Sequence, residues 1–367
     1  MRYAFAVLVG RLVRRLVRLV RPGGGSALPG LVVSKIAPNL LGNVWKSFPD
    51  GVTVVTGSAG KSSTTKMLVA IARAHGKEVF TNPTTANILQ GFFASILEVC
   101  DWRGRVKGDC AILEVDEGHA AEILRTAKAR FVTILNVTDD QLDRFIDPEL
   151  VRNTLRRVAE SASDGVILNA DDQNMLILES QSTRPLAATS YFGFKPELIE
   201  DRFLGFAETY LPKIKRPKTS TEITAVKGQA ITVSTQSESA NFSLASRGIH
   251  YAADAAAALE TARRIFESKF DLELSARTIQ ALPPVFARGE VTEIYGKEVE
   301  LVLVQNPASF QLNLDAFESP LENVMIAIGR DVHDPSWLWT VDYSKLRLAK
   351  VVSGFNAYEM ALCLSYN

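Results

Sequence analysis

The stretch that decides the fold lies at residues 52–67 and reads VTVVTGSAGKSSTTKM. Residues 52–55 are all β-branched, which is typical of a buried strand, and residues 56–60 form a short loop of small side chains. Residues 61–64 then open a helical pattern that begins with Lys61. A strand, a glycine loop and a helix in this order direct backbone N–H groups and a lysine charge at one point. The stretch therefore predicts a polyphosphate site.

The loop departs from the commonest phosphate-loop pattern, G-x-x-x-x-G-K-[ST], because Val55 stands at its first glycine. It matches a shorter form, T-G-x-x-G-K-[ST]. In such loops the hydroxyl that follows the lysine, here Ser62, holds the magnesium ion that bridges the phosphates. A plain glycine turn with a solvated Lys61 is the alternative interpretation.

Length and composition favour a soluble globular protein of two domains. The chain has 367 residues, of which 47% are apolar and 22% are charged. Its 41 basic residues balance its 41 acidic ones, so no overall field attracts nucleic acid, and we expect no nucleic-acid partner. The cysteines, Cys100, Cys110 and Cys363, are scattered and form no C-x-x-C pair, which fits a reducing cytosol.

The N-terminal segment has the pattern of a cationic amphipathic helix over residues 4–20. Leu12, Leu16 and Leu19 share one stripe, while the arginines fall mainly on another face. Such a helix can lie on an anionic membrane surface, but its arginines prevent it from spanning one. The alternatives are a helix packed on the next domain and a signal peptide, although no A-x-A site follows. We expect peripheral membrane contact through residues 1–21.

The rest of the chain alternates strand and helix patterns and predicts an α/β protein. Glycines and prolines predict an irregular segment over residues 22–38, and residues 184–245 suggest a small antiparallel appendage. Pro283 and Pro284 mark a domain boundary. We expect three parts: an N-terminal basic helix and loop at 1–45, a central domain with a parallel sheet at 46–283, and a smaller α/β domain at 284–367.

Three predicted strands end in acidic residues. The first ends in Glu114, Asp116 and Glu117, the second runs into NVTDDQLDRF at 136–145, and the third into LNADD at 168–172. In an open parallel sheet, ligands bind at the carboxyl ends of the strands. Glu114 and Asp116 share one face because side chains alternate along a strand. These acids are therefore expected where the magnesium of a bound nucleotide would lie.

Several of these motifs resemble the ATPase core of the Mur ligase superfamily. They are the loop at 56–61, LEVDEG at 113–118, the two acidic strand ends just quoted and G-x-H at 248–250. Other segments resemble its MurT-type branch, the subunits of lipid II isoglutaminyl synthase: GGGSALPG at 23–30, TNPTTANILQG at 81–91, QNPASF at 305–310, DPSWLW at 334–339 and SGFNAYEMALCLSYN at 353–367. The resemblance covers nearly the whole chain. It implies a central Mur-ligase-like P-loop ATPase domain followed by a smaller Rossmann-like domain.

The resemblance also implies an activity. In this branch, ATP phosphorylates the α-carboxylate of D-glutamate in the lipid II stem peptide, and ammonia then displaces the phosphate to give D-isoglutamine. A separate GatD-type glutaminase supplies the ammonia, so the partners implied are that subunit, in a heterodimer, and lipid II. Because the lipid II head group faces the cytosol, we expect a cytoplasmic protein that is peripheral at the inner face of the cell membrane.

The family's site residues can be carried over by motif. Lys61 would contact the β- and γ-phosphates, Asp334 would complete the catalytic Cys-His-Asp set of the glutaminase, and Arg288 would reach ATP on closure. The cofactor-binding set comprises Thr56, Gly57, Gly60, Lys61, Ser62, Ser63, Asn169 and His250, and the magnesium set comprises Ser62, Glu114 and Gln141. Asp334 has the alternative of a helix N-cap, and His250 that of an ordinary helix-start residue.

The chain also departs from the family pattern. Residues 173–247 contain no cysteine, although family members commonly carry a four-cysteine zinc ribbon there, so we expect no zinc site. The stretch HYAAD at 250–254 replaces H/Y-N-x-x-N, and the family's last domain continues beyond the match to residue 367. Two alternative functions follow: an amino-acid-adding ligase of the peptidoglycan or folylpolyglutamate type, and a nucleotide-binding scaffold for the glutaminase that has lost turnover.

Overall fold

The computed structural model describes residues 3–20, 27–83, 86–138, 147–285, 288–330, 332 and 334–366, and only the backbone of Thr126 and Arg288. Gln141 and most of the NVTDDQLDRF motif therefore lie outside the described residues, as does the Arg288 side chain. The roles expected of Gln141 and of the Arg288 guanidinium stay predictions.

Nine strands form one sheet, in the order β2-β3-β1-β4-β5-β6-β7-β8-β9. Neighbouring strands are parallel from β2 to β7, and the last three strands are antiparallel. In chain order, β1 to β9 are Val52–Thr56, Val79–Phe80, Cys110–Glu114, Phe131–Ile134, Gly165–Asn169, Ala188–Phe194, Thr221–Lys227, Ala230–Thr235 and Ser239–Ser243. The predicted α/β class with a parallel sheet is confirmed.

Helices cover both faces of the sheet, which explains why β1, β3, β4 and β5 are buried along their whole length. The helices α1 to α10 are, in chain order, Ala4–Val20, Ala27–Ile36, Leu40–Trp45, Lys61–Ala74, Leu89–Val99, Glu117–Thr126, Pro148–Ala159, Gln173–Ser180, Ile249–Phe266 and Leu272–Gln280. The first core contains side chains from α1–α3 and α5–α8, and the second contains side chains from α4, α9 and α10. The sheet thus lies between two helical layers.

The prediction of an irregular segment at residues 22–38 is wrong for the part that the structure describes, because α2 spans Ala27–Ile36. Pro29 lies in the first turn of α2, where its missing N–H removes no helical hydrogen bond. Gly30 lets α2 approach α5, since a Cβ on Gly30 would lie 1.8 Å from the carbonyl oxygen of Gln90. Pro29 and Gly30, which were interpreted as helix breakers, therefore lie within a helix: Pro29 in its first turn and Gly30 at its close contact with α5.

The antiparallel appendage expected at residues 184–245 is also corrected. The strand β6 pairs in parallel with β5, and β7 pairs in parallel with β6, so this region extends the main sheet. Only β7, β8 and β9 form the expected antiparallel meander. Alternating patterns alone do not reveal which neighbour a strand joins.

The C-terminal part adds a small α/β lobe with a core of its own. It contains an antiparallel hairpin, a two-stranded parallel sheet and two helices: β10 (Arg288–Ile294), β11 (Lys297–Val302), α11 (Pro307–Asp315), β12 (Val324–Ala327), β13 (Ala349–Ser353) and α12 (Ala357–Tyr366). Phe310, Leu338 and Met360 lie in its core. The boundaries at 45/46 and 283/284 stay predictions.

Candidate nucleotide site

The loop between β1 and α4 has the geometry of an anion cradle. Gly57 and Gly60 have φ angles of +130° and +86°, which L side chains rarely adopt. A Cβ on Gly57 would lie 3.0 Å from the backbone nitrogens of Leu135 and Asn136, and a Cβ on Gly60 would lie 2.0 Å from Oδ1 of Asp254. Both positions therefore require glycine. Thr56 is fully buried at the end of β1, behind the loop.

Asn136, at the end of β4, holds this loop in place. The amide N–H of Ala59 donates to Oδ1 of Asn136 at 2.9 Å, and Nδ2 of Asn136 donates to the carbonyl of Ala59 at 3.2 Å. The backbone carbonyl of Asn136 also accepts from the N–H of Ser58 at 3.0 Å. Three hydrogen bonds from one residue thus fix the middle of the loop before helix α4 begins.

Lys61 bends back over the loop. Its Nζ donates to the carbonyl oxygens of Gly57 at 2.6 Å and Ser58 at 2.9 Å, and pairs with Oε2 of Glu117 at 2.8 Å. Both charged side chains are largely buried, since Lys61 is 13% and Glu117 4% exposed. The lysine thus rests against a carboxylate at the place expected for a phosphate.

A cavity of about 560 Å³ opens in front of the loop, between the sheet and the C-terminal lobe. Of the residues predicted for the site, the cavity is lined by Gly60, Lys61, Ser62, Ser63, Glu114, Asn169 and His250. Residues of the other lobe, including Gly289, Val302 and Asn306, line the opposite wall. The volume lies within the range of small-molecule and cofactor sites.

The carboxyl end of β3 faces this cavity. Glu114 and Asp116 both line it, and both are buried. Asn82 fixes the strand end: its Nδ2 donates to the carbonyl of Glu114 at 2.9 Å, and its Oδ1 accepts from the N–H of Glu114 at 3.0 Å. Asp116 also caps α6 by accepting from the N–H of Gly118. The carboxylates expected beside the phosphates are therefore held there by backbone contacts.

The carboxyl end of β5 serves the fold instead. Oδ1 of Asn169 accepts from the N–H of Asp171, and Asp171 pairs with Arg216 at 2.7 Å. Asp172 is fully buried, accepts from the N–H groups of Val137 and Asn174, and burial raises its pKa to about 6. Neither aspartate lines the cavity, so among these three residues only Asn169 does.

The remaining predicted residues are placed as follows. His250 is half-buried at the first turn of α9 and lines the cavity. Arg288 pairs through its backbone with Val302, and the adjacent Gly289 lines the cavity. Asp334 is exposed and caps the short helix at residues 335–340 by accepting from the N–H of Ser336. Hydrogen bonds from the hydroxyl and the N–H of Ser336 lower the pKa of its carboxyl. The N-cap alternative for Asp334 is thus observed.

Two residues of the site, Asn136 and Asp254, were not predicted from the sequence. Glu117 was expected among the acids near a magnesium ion, but its ion pair with Lys61 was not predicted. Asn136 is the first residue of the motif NVTDDQLDRF and lies two positions after the end of β4. An Asn close to the carboxyl end of a parallel strand was the available signal. Asp254 lies 190 positions after Thr64, whose hydroxyl contacts its carbonyl oxygen, and no local pattern gives such a contact.

Comparison with known families shows which family the chain belongs to. The Mur ligase middle domain family matches residues 55–262, more than half of the chain, and the MurT ligase C-terminal family matches residues 303–367. The chain belongs to the Mur ligase family. The family consists of ATP-dependent ligases, and the resemblance stated from the motifs is confirmed.

Two curated relatives extend the match over nearly the whole chain. The lipid II isoglutaminyl synthase (glutamine-hydrolyzing) subunit MurT of Streptococcus pneumoniae is 25% identical, over 89% of this chain and 78% of the relative. The subunit of the same name from Staphylococcus aureus strain COL is 23% identical, over 99% of this chain and 88% of the relative. This Mur ligase is therefore similar to MurT subunits over 89–99% of its own length.

Solved Mur ligases share its fold. MurF from Acinetobacter baumannii is 16% identical and superposes with a TM-score of 0.69, over 90% of this chain and 69% of MurF. MurF ligase from Thermotoga maritima in complex with ADP is also 16% identical, with a TM-score of 0.62, over 92% of this chain and 78% of that one. The central domain and the smaller lobe together thus have the Mur ligase architecture.

The residues of this Mur ligase fit a magnesium nucleotide. The glycine cradle has no room for side chains, and Lys61 supplies a positive charge beside it. Ser62 and Glu114 offer the oxygen ligands that Mg²⁺ prefers, which it combines with phosphate oxygens and water. Within the described ranges no cluster of three or more His, Cys, Asp or Glu side chains could hold a metal. A magnesium ion at this site would therefore depend on the phosphates for further ligands.

Proposed function

We propose that this chain is the amide-forming subunit of a lipid II isoglutaminyl synthase. It would convert the α-carboxylate of D-glutamate in the lipid II stem peptide to the carboxamide of D-isoglutamine. The γ-phosphoryl group of ATP is transferred to a carboxylate oxygen, which gives an acyl phosphate. Ammonia then attacks the carbonyl carbon, a C–N bond forms and phosphate leaves. The observation that carries the proposal is the match to two MurT subunits over nearly the whole chain.

The roles proposed for the phosphate-loop residues follow from their positions. Lys61, once released from Glu117, would neutralise charge on the β- and γ-phosphates. Thr56, Gly57, Gly60 and Ser63 would form the cradle, whose backbone N–H groups bind phosphate oxygens. Ser62 and Glu114 would hold the magnesium ion, and we keep Gln141 as a third candidate for that set.

The roles proposed for the rest of the cavity concern ATP and closure. Asn169 and His250, on the wall beside the loop, would bind the nucleotide. Arg288 would offset charge that develops on the γ-phosphate, because its strand forms part of the opposite wall.

The smaller lobe would serve the ammonia supply. We propose that a GatD-type glutaminase binds this lobe and that Asp334 holds the histidine of that partner in the tautomer that the nucleophile needs. Exposure of Asp334 supports this, because a carboxylate that completes another chain's site must be accessible. Its bond from Ser336 holds the side chain in one rotamer and is compatible with the role.

The substrate also suggests a location. A lipid-linked stem peptide would place the protein at the inner face of the cell membrane, in peripheral contact through residues 1–21. In the described part of the chain no helix is both long and apolar enough to cross a bilayer.

The decisive experiment measures ADP release and the replacement of a hydroxyl by an amino group in lipid II by mass spectrometry. The chain is assayed with ammonium salt, and with glutamine plus a candidate GatD-type glutaminase. Amidation with ammonia alone would establish the ligase reaction, and glutamine-dependent amidation would establish the partner. ADP release that requires an added amino acid, without amidation, would instead indicate an amino-acid-adding ligase.

The variant Lys61→Ala tests the site within that assay. We expect turnover to fall about 100-fold or more, because the charge that faces the transferred phosphoryl group is lost. Lys269→Ala is the matched control, since Lys269 is exposed and remote from the cavity. Unchanged amidation in Lys61→Ala would show that this loop is not the catalytic one.

A further inference from the structure

Helix α1 turns an apolar face away from the protein. Phe5, Leu8, Leu12, Leu16 and Leu19 are exposed by 54–80% and recur at helical spacing, so they form one stripe along the whole helix. We call these five residues the α1 stripe. A stripe of this size is uncommon on a surface that faces water alone, because burying it is favourable.

The stripe cannot turn inward, because the other side of α1 is fixed to the body of the protein. Ala6, Val7 and Gly10 are buried, and a Cβ on Gly10 would lie 2.4 Å from Val33 and 2.7 Å from Leu97. Arg11 donates to the carbonyl oxygens of residues 97 and 100 at 3.0 and 2.6 Å, and Arg14 pairs with Glu98. The contacts with α5 thus hold the apolar stripe outside.

The charge on helix α1 has a single sign. Helix α1 contains four arginines and no acidic residue. Two of them are occupied by α5, whereas Arg15 and Arg18 are exposed and make no ion pair within the described ranges. An exposed leucine stripe beside arginines without ion pairs is complementary to a lipid bilayer, which has an apolar interior and anionic headgroups.

We propose that the α1 stripe lies in the plane of an anionic phospholipid bilayer, with its leucines at the acyl boundary and Arg15 and Arg18 among the headgroups. The inference rests on the proposed function, because that function requires a lipid-linked substrate. The α1 stripe would dock the protein on the membrane that holds this substrate. Helix α2, which packs beside α1, exposes Leu28, Leu31 and Ile36 as well. The overall charge of the chain is zero, so this attraction is local.

A single helix connects this surface to the candidate active site. Helix α5 begins at Leu89, two residues after Asn87, which lines the cavity, and ends at Val99, where α1 is anchored. Its 11 residues span about 16 Å. The point where α1 is anchored is therefore joined to the cavity wall by one helix.

The test is flotation of the full chain with vesicles of phosphatidylcholine alone and of phosphatidylcholine with phosphatidylglycerol. We expect binding to the anionic vesicles only. The variant Leu12→Gln/Leu16→Gln should lower the vesicle partition coefficient about tenfold. Arg15→Gln/Arg18→Gln should lower it at low salt, and its difference from the unmodified chain should shrink as salt rises and screens the charges. The matched control is Leu150→Gln/Leu274→Gln, because Leu150 and Leu274 are exposed leucines of α7 and α10, and it should float as the unmodified chain does.

Other outcomes would overturn the inference. Equal flotation of the stripe variant and the control would show that α1 is not the membrane surface. Loss of co-elution with the glutaminase in the stripe variant, with flotation unchanged, would make the stripe a protein interface. Amidation of a water-soluble stem peptide separates the two proposals: stripe-dependent flotation without amidation would refute the function and leave the membrane surface standing.

Discussion

Two strand ends of the same sheet carry almost the same residue types and do different work. The end of β3 presents Glu114 and Asp116 to the cavity, whereas the end of β5 uses Asp171 and Asp172 inside the fold. Both ends looked equivalent in sequence. They differ in sheet order, because β3 is hydrogen-bonded directly to the loop strand β1 and β5 is separated from it by β4.

In this sheet, the acids at the end of the strand beside β1 line the cavity, whereas the acids one strand further away hold the fold. At β3, backbone contacts from Asn82 hold the strand end and leave the Glu114 side chain directed at the cavity. At β5, the carboxylates themselves accept backbone N–H bonds or pair with Arg216.

Glu114→Gln gives the largest expected effect. The change keeps the shape of the side chain but removes the charge proposed to bind magnesium, so we expect turnover to fall about 100-fold or more, which corresponds to about 3 kcal/mol. ADP release at saturating magnesium and ATP measures it.

The control for that variant lies on the other strand end. Asp171→Asn weakens the pair with Arg216 and should lower the thermal stability while the folded protein keeps its turnover. The opposite pattern, with turnover lost at Asp171 and retained at Glu114, would reverse the assignment of the two strand ends.

The pH dependence of stability should come from the β5 end. Burial raises the pKa of Asp172 from 3.8 to about 6, so between these values the folded chain holds a proton that the unfolded chain releases. The contribution of Asp172 to the unfolding free energy is therefore full below about pH 4 and is lost as the pH rises through 6, by about 1.4 kcal/mol per pH unit.

Urea denaturation of the unmodified chain and of Asp172→Asn across this range checks the expectation. As the pH rises, the unfolding free energy of the unmodified chain should fall relative to that of Asp172→Asn. Parallel pH curves for the two proteins would mean that Asp172 does not titrate in this window.

Glu117→Gln gives the smallest expected effect and concerns the β3 end. A polyphosphate must separate Lys61 from Glu117 before the lysine can reach it. Removal of the carboxylate charge should therefore tighten ATP binding, by about fivefold or about 1 kcal/mol. Calorimetric titration with a non-hydrolysable ATP analogue measures the change, and weaker binding would show that Glu117 orients Lys61 for the nucleotide.

Local patterns predicted the elements that carry their own signal. Helix α1 runs over the predicted residues 4–20, β1 lies within one residue of its predicted bounds, and α4 begins at the predicted Lys61. In each case the period of the apolar residues or the glycine loop acts over a few neighbours. The placement of Glu114 at the cavity was predicted for the same reason, since it follows directly from the end of a strand.

Long-range contacts account for what the sequence did not reveal. Gly30 looked like a breaker because its contact, the backbone of α5, lies 60 residues away. The pairing of Asp171 with Arg216 and the approach of Asp254 to the loop depend on how the sheet and α9 are assembled. Such contacts depend on how distant elements pack together, and local patterns in one sequence do not reveal them.

The two-way hydrogen bonding between Asn136 and Ala59 has a kinetic consequence. The side-chain amide of Asn136 donates to and accepts from the backbone of Ala59, as the backbone of a neighbouring strand would. The loop is therefore held in the same way as a strand of the sheet. A ligand that meets a preformed loop loses little conformational entropy on arrival. Nucleotide capture should therefore be governed by encounter and by the release of one lysine, and not by slow rearrangement of the loop backbone.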